Sequence, residues 1–297
     1  MNRTEKFNYN GRTDDPSVPE RIHQVAKEYS GQSGVPVITG FSSDEGVKRN
    51  KGTPGAAEGP FKVREKMGSY AFTDELYDAG TVIGTENLED SQQNLGDVLK
   101  EIYENNSFPL IIGGGHETFY GHYLGARQAF SGKIAIINFD AHFDLRDETP
   151  SSGTMFHQIL SADKEVDYYC LGLQPQGNTK TLYDTADKFG VKYYSIDEVR
   201  ETDAADKVAA SLKNYDAVLM TLCMDSLQQA IAPGVSAPSP NGYTAVEIHN
   251  LISKFAVLPN LKSFDISEVS PPLDENDRTS AMAASILYKF LTVRQSF

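Results

Sequence analysis

The chain has 297 residues, with 27 basic and 41 acidic side chains, a net charge of −14 and two cysteines. That length suits one large α/β domain or two small ones, and two cysteines exclude a disulfide scaffold. The charge opposes nucleic acid, no apolar run approaches the roughly 20 residues of a bilayer span, and the opening MNRTEKFNYNGRTDD lacks a signal-peptide core, so a cytoplasmic protein with free thiols is expected, with neither nucleic acid nor membrane as partner.

Eight short runs rich in apolar and β-branched residues read as strands, at 36–41, 81–85, 109–113, 134–139, 167–173, 192–196, 217–224 and 261–266. They do not alternate apolar with polar, which suits a parallel sheet buried on both faces. Amphipathic stretches lie between them. In SQQNLGDVLKEIYENN, Leu95, Val98, Leu99, Ile102 and Tyr103 share one helical face, and TKTLYDTADKFG, DEVRETDAADKVAASLKNY, TAVEIHNLISKFAV and RTSAMAASILYKFLTVRQ read as further helices. Strand and helix alternate without a Pro-rich or Gly/Ser-rich linker, so a single α/β domain over 1–297 is expected.

In such sheets chemistry collects in the loops after strands. The run PLIIGGGHETFYGHYLG ends a strand in three glycines before His116 and Glu117. It lacks the Walker spacing of a phosphate loop, and a lone histidine there is more often a hydrogen-bonded structural residue than a ligand. The strongest signal is IAIINFDAHFDLRD, in which Asp140, His142 and Asp144 alternate directly after an apolar strand. In extended geometry all three point to one side, and two ionised acids that close call for a cation between them. Mixed carboxylate and imidazole donors suit Mn(II), Fe(II) or Zn(II). In AVLMTLCMDSLQQAIAPGVSAPSP, Cys223 and Asp225 repeat the spacing at another strand end, though alone they read as a buried hydrophobe and a turn former. The last strand, LKSFDISEVSPPLD, is followed by Glu268, either a capping acid or a partner for a cationic amidine or guanidine.

Together these segments resemble the arginase-like ureohydrolases. GGGHE is similar to their Gly-Gly-Asp-His motif, DAHFD to Asp-Ala-His-x-Asp, and TLCMD stands where they have Ser-x-Asp-x-Asp, with APGVSAP and EVSP following in order. Within that superfamily, GFSSDEGVKRNKG, INFDAHFDLR, SSGTMF and YCLGL resemble the formimidoylglutamases. The resemblance implies a three-layer α/β/α fold on an eight-stranded, mainly parallel sheet. It also implies hydrolysis of N-formimidoyl-L-glutamate to L-glutamate and formamide in histidine degradation. Two Mn(II) ions are implied, one held by His116, Asp140, Asp144 and Cys223 and the other by Asp140, His142, Cys223 and Asp225. A metal-bridging hydroxide would attack the amidine carbon, with Asp144 steering or accepting its proton and Glu268 holding the amidinium nitrogens. Homo-oligomers are common in the superfamily.

Two positions depart from the pattern. Ser152 stands where arginases carry a proton-shuttling histidine, with His157 nearby but displaced, and Cys223 stands where a bridging Asp is usual. Residue 223 then bridges as thiolate, ligates weakly and loosens the second site, or acts as a redox switch. For a substrate with carboxylates, Arg146 on the rim is the first cationic candidate and Arg49 the second. The alternatives are a ureohydrolase acting on a guanidine, such as agmatine or a guanidino acid, and a non-catalytic metal-binding relative.

Overall fold

The computed structural model describes residues 4–295. Nine strands form one parallel sheet: β1 (Ala26–Glu28), β2 (Pro36–Ser42), β3 (Leu76–Ile83), β4 (Phe108–Ile112), β5 (Ile134–Phe139), β6 (Val166–Leu173), β7 (Lys192–Ser195), β8 (Ala217–Cys223) and β9 (Leu261–Ser267), in the spatial order β1-β3-β2-β4-β9-β8-β5-β6-β7. The expected eight strands are all present, and the ninth, β1, is an edge strand of three residues, two of them exposed, paired with Leu76–Asp78. Its sequence, Ala-Lys-Glu, carries no apolar signal because an edge strand with a wet face needs none.

Helix α1 (Ile22–Val25) precedes the sheet, α2 (Glu45–Arg49), α3 (Gly59–Met67), α4 (Leu88–Glu104), α5 (Thr118–Ala129), α6 (Met155–Ala162), α7 (Lys180–Phe189), α8 (Ile196–Glu201), α9 (Ala204–Leu212) and α10 (Ala245–Ala256) lie between strands, and α11 (Arg278–Gln295) follows the last. The long amphipathic stretch after residue 196 is two helices, α8 and α9, broken at Thr202 and Asp203. The sheet is buried on both faces. On β5, Ile134 and Ile136 pack with Leu95 and Leu99 of α4 and with Phe156 of α6, while Ile137 and Phe139 pack with Phe255 of α10 and the α11 side. Alternate side chains thus feed two separate cores, which is why most strand positions on both faces are apolar rather than every second one, with Thr39, Asn138, Thr221, Ser263 and Asp265 as buried polar exceptions.

Strand β3 begins at Leu76, five residues earlier than its apolar run suggests, because Asp78 and Gly80 interrupt that run. Asp78 is accommodated by Arg64 of α3, a fully buried guanidinium that donates through Nε to Asp78 Oδ2 (2.8 Å) and through Nη2 to Asp78 Oδ1 (3.2 Å). The Tyr9 hydroxyl donates to the same carboxylate at 2.6 Å. A buried pair of this kind is tolerable because its remaining N–H groups also find acceptors, the carbonyls of Pro60 and Gly80 and the hydroxyl of Thr81.

The topology has one consequence for chemistry. Strands β4 and β5 are consecutive in the chain but separated in the sheet by β9 and β8, so the strand order switches there. Ligand crevices of open α/β sheets form outside the carboxyl ends of strands at such a switch. The residues singled out above follow these four neighbouring strands: His116 after β4, Asp140 after β5, Cys223 and Asp225 at the end of β8, and Glu268 after β9.

Candidate metal centre

The triple glycine after β4 serves close packing. A Cβ on Gly114 would run into the Ser43 carbonyl at the end of β2, and one on Gly115 into the Glu117 carboxylate. The Gly114 carbonyl also accepts the Glu268 amide at 2.7 Å. The turn therefore brings the ends of β2, β4 and β9 together and carries His116 beneath them.

The Asp140, His142 and Asp144 side chains converge, but through a loop. Strand β5 stops at Phe139, and Asp144 takes a left-handed backbone conformation (φ 50°), so extended alternation is not what gathers them. Glu268 is also left-handed (φ 72°). Such conformations cost on the order of 1–3 kcal/mol for a non-glycine residue and persist where surrounding structure enforces them.

Two donor clusters result, His116 with Asp140 and Cys223, and Asp140 with His142 and Asp225; within each, the ligand atoms lie within 4.8 Å of one another. Asp140 is shared. The Nδ1 atom of His116 lies 3.1 Å from Asp140 Oδ2 and 2.9 Å from Asp144 Oδ2. The Nδ1 atom of His142 lies 3.2 Å from Asp225 Oδ2 and 3.6 Å from Asp140 Oδ1. Cys223 joins the first cluster but not the second, whereas its expected place was between two ions.

The tautomer of His116 follows from its other nitrogen. Nε2 lies 3.0 Å from the Thr221 hydroxyl, and that hydroxyl donates its one proton to Asp265 Oδ1 at 2.8 Å. Thr221 can therefore only accept from His116, which keeps a proton on Nε2 and leaves Nδ1, facing the carboxylates, as the nitrogen whose proton a metal ion would replace. A ligating histidine is ordinarily oriented in this way by a partner behind it. Asp265 in turn meets His122 Nδ1 at 2.7 Å, His122 Nε2 meets the Ser263 hydroxyl at 2.5 Å, and the Tyr103 hydroxyl donates to Ser263 at 2.7 Å.

Charge in the cluster is unbalanced. Burial opposes the His116 imidazolium, yet hydrogen bonds to Asp140 and Asp144 and their charges raise its pKa well above the ordinary value. His142 is raised too, against burial, by Asp225 and Asp140. Burial and the Asp140 charge lift Asp144 to about 6, whereas Asp140 is itself held low, burial being outweighed by both histidines. Burial, with Glu117 and Asp225 nearby, carries Glu268 to about 8, and burial among these acids raises the Cys223 thiol well above its usual range. Asp225 Oδ1 is buried with no hydrogen-bond partner. Protons on histidines thus stand where cations belong, and a lone carboxylate oxygen waits for one. Carboxylate, imidazole and thiol donors around these points fit divalent transition metals.

Above the clusters lies a cavity of about 340 Å³ whose lining includes His142, Asp144, Arg146, Ser152, Asp225 and Glu268. Glu268 is only 6% exposed and accepts the His116 amide through Oε1 at 2.8 Å. Arg146 is exposed and, among the described residues, has no ion-pair partner; Asp147 turns instead toward His157, 3.7 Å away. The Ser152 hydroxyl accepts from Asn50 Nδ2 at 3.2 Å. Arg49 does not reach the cavity. Its guanidinium is committed to Glu45 (3.2 Å), Glu89 (2.9 Å) and the carbonyls of Glu86 and Pro150, because α2 turns that face outward. Lys51, left-handed at φ 63°, lines the cavity in its place.

Sequence reasoning passed over Thr221, Asp265, His122 and Lys51. The first two had a signal: a polar residue inside a strand whose two faces are both buried needs a partner. Lys51 had none, since a lysine in a loop is ordinarily solvated.

The chain belongs to the arginase family, which matches residues 35–292. It is 43% identical to formimidoylglutamase of Lysinibacillus sphaericus over 310 aligned positions, covering 97% of this chain and 96% of that one. In fold it is similar to formimidoylglutamase of Bacillus subtilis, with a TM-score of 0.88 at 24% identity over 96% of this chain and 95% of the other. It also resembles Trypanosoma cruzi formiminoglutamase, solved with Mn2+, with a TM-score of 0.80 at 27% identity over 87% and 92% of the two chains. Both cysteines are free and buried, and no described helix is long and apolar enough to cross a membrane.

Proposed function

We propose that the chain hydrolyses N-formimidoyl-L-glutamate to L-glutamate and formamide, as a step of histidine degradation, with two divalent ions of the Mn(II) kind held by His116, Asp140, Asp144 and Cys223 and by Asp140, His142 and Asp225. The observation that carries this reading is the pair of donor clusters sharing Asp140 beneath a cavity that offers both a buried carboxylate, Glu268, and an exposed guanidinium, Arg146. The naming of relatives at about 40% identity over nearly the whole chain supports the substrate.

When bound, the ions would supply Lewis acidity and lower the pKa of water toward neutrality. The chain's own side chains account for the remainder. The substrate carries an amidinium and carboxylates. Glu268, fixed by the His116 amide, offers an acceptor to the amidinium N–H groups, and Arg146 and Lys51 offer cations to the carboxylates at the rim. Hydrolysis sends both protons of water to the departing nitrogen, so a group must take one and return it. Asp144, which lines the cavity beside both clusters, is placed for that transfer. Burial of Asp140, Glu268 and Cys223 limits competing water.

The test is release of formamide, without ammonia, from N-formimidoyl-L-glutamate by purified protein with Mn2+ and a thiol reductant. Release of urea from agmatine or a guanidino acid, with none of formamide, would assign a guanidine substrate instead. Tight Mn2+ binding with no turnover of either would make the chain a metal-binding relative without activity.

A further inference from the structure

A second cavity, of about 510 Å³, opens at the opposite edge of the sheet, beside the first residues of β2, β4 and β9: Pro36, Phe108 and Leu261. Its walls are aromatic, with Tyr103 and Phe130 edge to face at 5.1 Å and Phe108 stacked on Phe290 at 5.5 Å. Two cations project into it. The Lys262 ammonium lies 5.6 Å over the Phe130 ring, and the Arg294 guanidinium 4.1 Å over the Phe108 ring. Among the described residues no acid lines the cavity, in a chain whose acids outnumber its bases 41 to 27. Among the described residues Arg294 reaches the carbonyls of Ala256 (2.9 Å) and Leu261 (3.0 Å), and neither cation has a carboxylate partner. Burial draws Arg294 down to about 10. An uncompensated, partly buried guanidinium is costly, and an anion that also covers the rings would offset that cost.

Tyr103 joins this cavity to the metal centre. Its hydroxyl begins the unbroken series Tyr103, Ser263, His122, Asp265, Thr221 and His116, each link a hydrogen bond of 3.0 Å or less.

We propose that this cavity binds a small aromatic carboxylate, its carboxylate between Lys262 and Arg294 and its ring against Phe108 and Phe130, and that occupancy is transmitted through Tyr103 to the orientation of His116. The anion site stands without the activity proposed above; the transmission rests on His116 being a metal ligand. Each is therefore measured separately. Benzoate, benzamide and inorganic phosphate are titrated into metal-free protein by calorimetry, with sedimentation used to confirm an unchanged oligomeric state. Benzoate is expected to bind saturably below about 10 mM and at least tenfold more tightly than benzamide or phosphate, and Lys262→Gln to weaken it by tenfold or more. Equal binding of benzamide, unchanged binding in Lys262→Gln, a shift in oligomeric state that accounts for the heat, or no saturable binding would overturn the site. Mn2+ affinity is then measured with and without benzoate. A change of threefold or more in the unmodified protein, lost in Tyr103→Phe while benzoate still binds, is the expected linkage; an unaltered Mn2+ affinity removes it.

Discussion

At the scale of the residue, the candidate centre depends on side chains set behind its donors. Thr221 is the clearest case, because its single proton is committed to Asp265 and so dictates which nitrogen of His116 faces the carboxylates. Thr221→Val removes both the acceptor for Nε2 and the donor to Asp265. Mn2+ affinity should fall by roughly 10–100-fold while Thr221→Ser stays near the unmodified value, which equilibrium dialysis would resolve. Equal loss in both variants would point to packing rather than to the hydroxyl. Arg146 lines the cavity where the proposed function puts the substrate carboxylates. Because its guanidinium is exposed at the cavity rim, Arg146→Ala should raise KM for the glutamyl substrate by roughly tenfold and change kcat little. Steady-state kinetics with an unchanged KM would take Arg146 out of the site.

At the scale of the element, chain order and sheet order do different work. The ends of β4, β9, β8 and β5 are neighbours only because the chain passes from β4 to β5 and later returns to place β8 and β9 between them, so the donors arrive from four separate segments. The rigid frame holding them includes the tie between α3 and β3, where Arg64 and Asp78 are buried together. Arg64→Met should destabilise the protein by about 3–5 kcal/mol in urea unfolding, since it strands the Asp78 charge in a dry site. The double variant Arg64→Met with Asp78→Leu should recover much of that loss. A single variant within about 1 kcal/mol of the unmodified chain would show that Asp78 finds water or another donor. The apolar strands themselves were legible because burial on both faces demands continuous apolar runs. Edge strand β1 and the early part of β3 were not, because their pairing is satisfied at a wet edge or by Arg64, which lies 14 positions from its partner.

At the scale of the whole molecule, part of the net charge of −14 is concentrated in one crevice, and its titration should govern stability. In the metal-free chain the pKa values of His116 and His142 are raised well above 6.5, that of Asp144 stands at about 6 against 3.8, and that of Glu268 at about 8 against 4.5. Each folded value exceeds its unfolded one. The stability these groups contribute is complete below the unfolded pKa and lost as pH rises through the folded pKa. Asp140 has the opposite sign, but its loss occurs only below about 3.8. The melting temperature without metal should therefore fall between about pH 5 and pH 8.5, and added Mn2+ should raise it more at pH 8 than at pH 6, where it must displace protons. Scanning calorimetry with Mn2+ or a chelator would show this. A larger Mn2+ shift at the lower pH would contradict it.

The sequence by itself determined the parallel α/β class and the kinds of donor at the strand ends, because both are local: a doubly buried strand must be apolar, and acids and histidines that break that rule at its end need a reason. Only the tertiary structure decided that Lys51 and not Arg49 faces the cavity, that Cys223 joins one cluster, that Thr221 and Asp265 orient His116, and that a cationic aromatic cavity backs the sheet. Each of those depends on register between strands far apart in the chain, or on which way a short helix turns. Neither is set by local composition; both come from how the two cores pack.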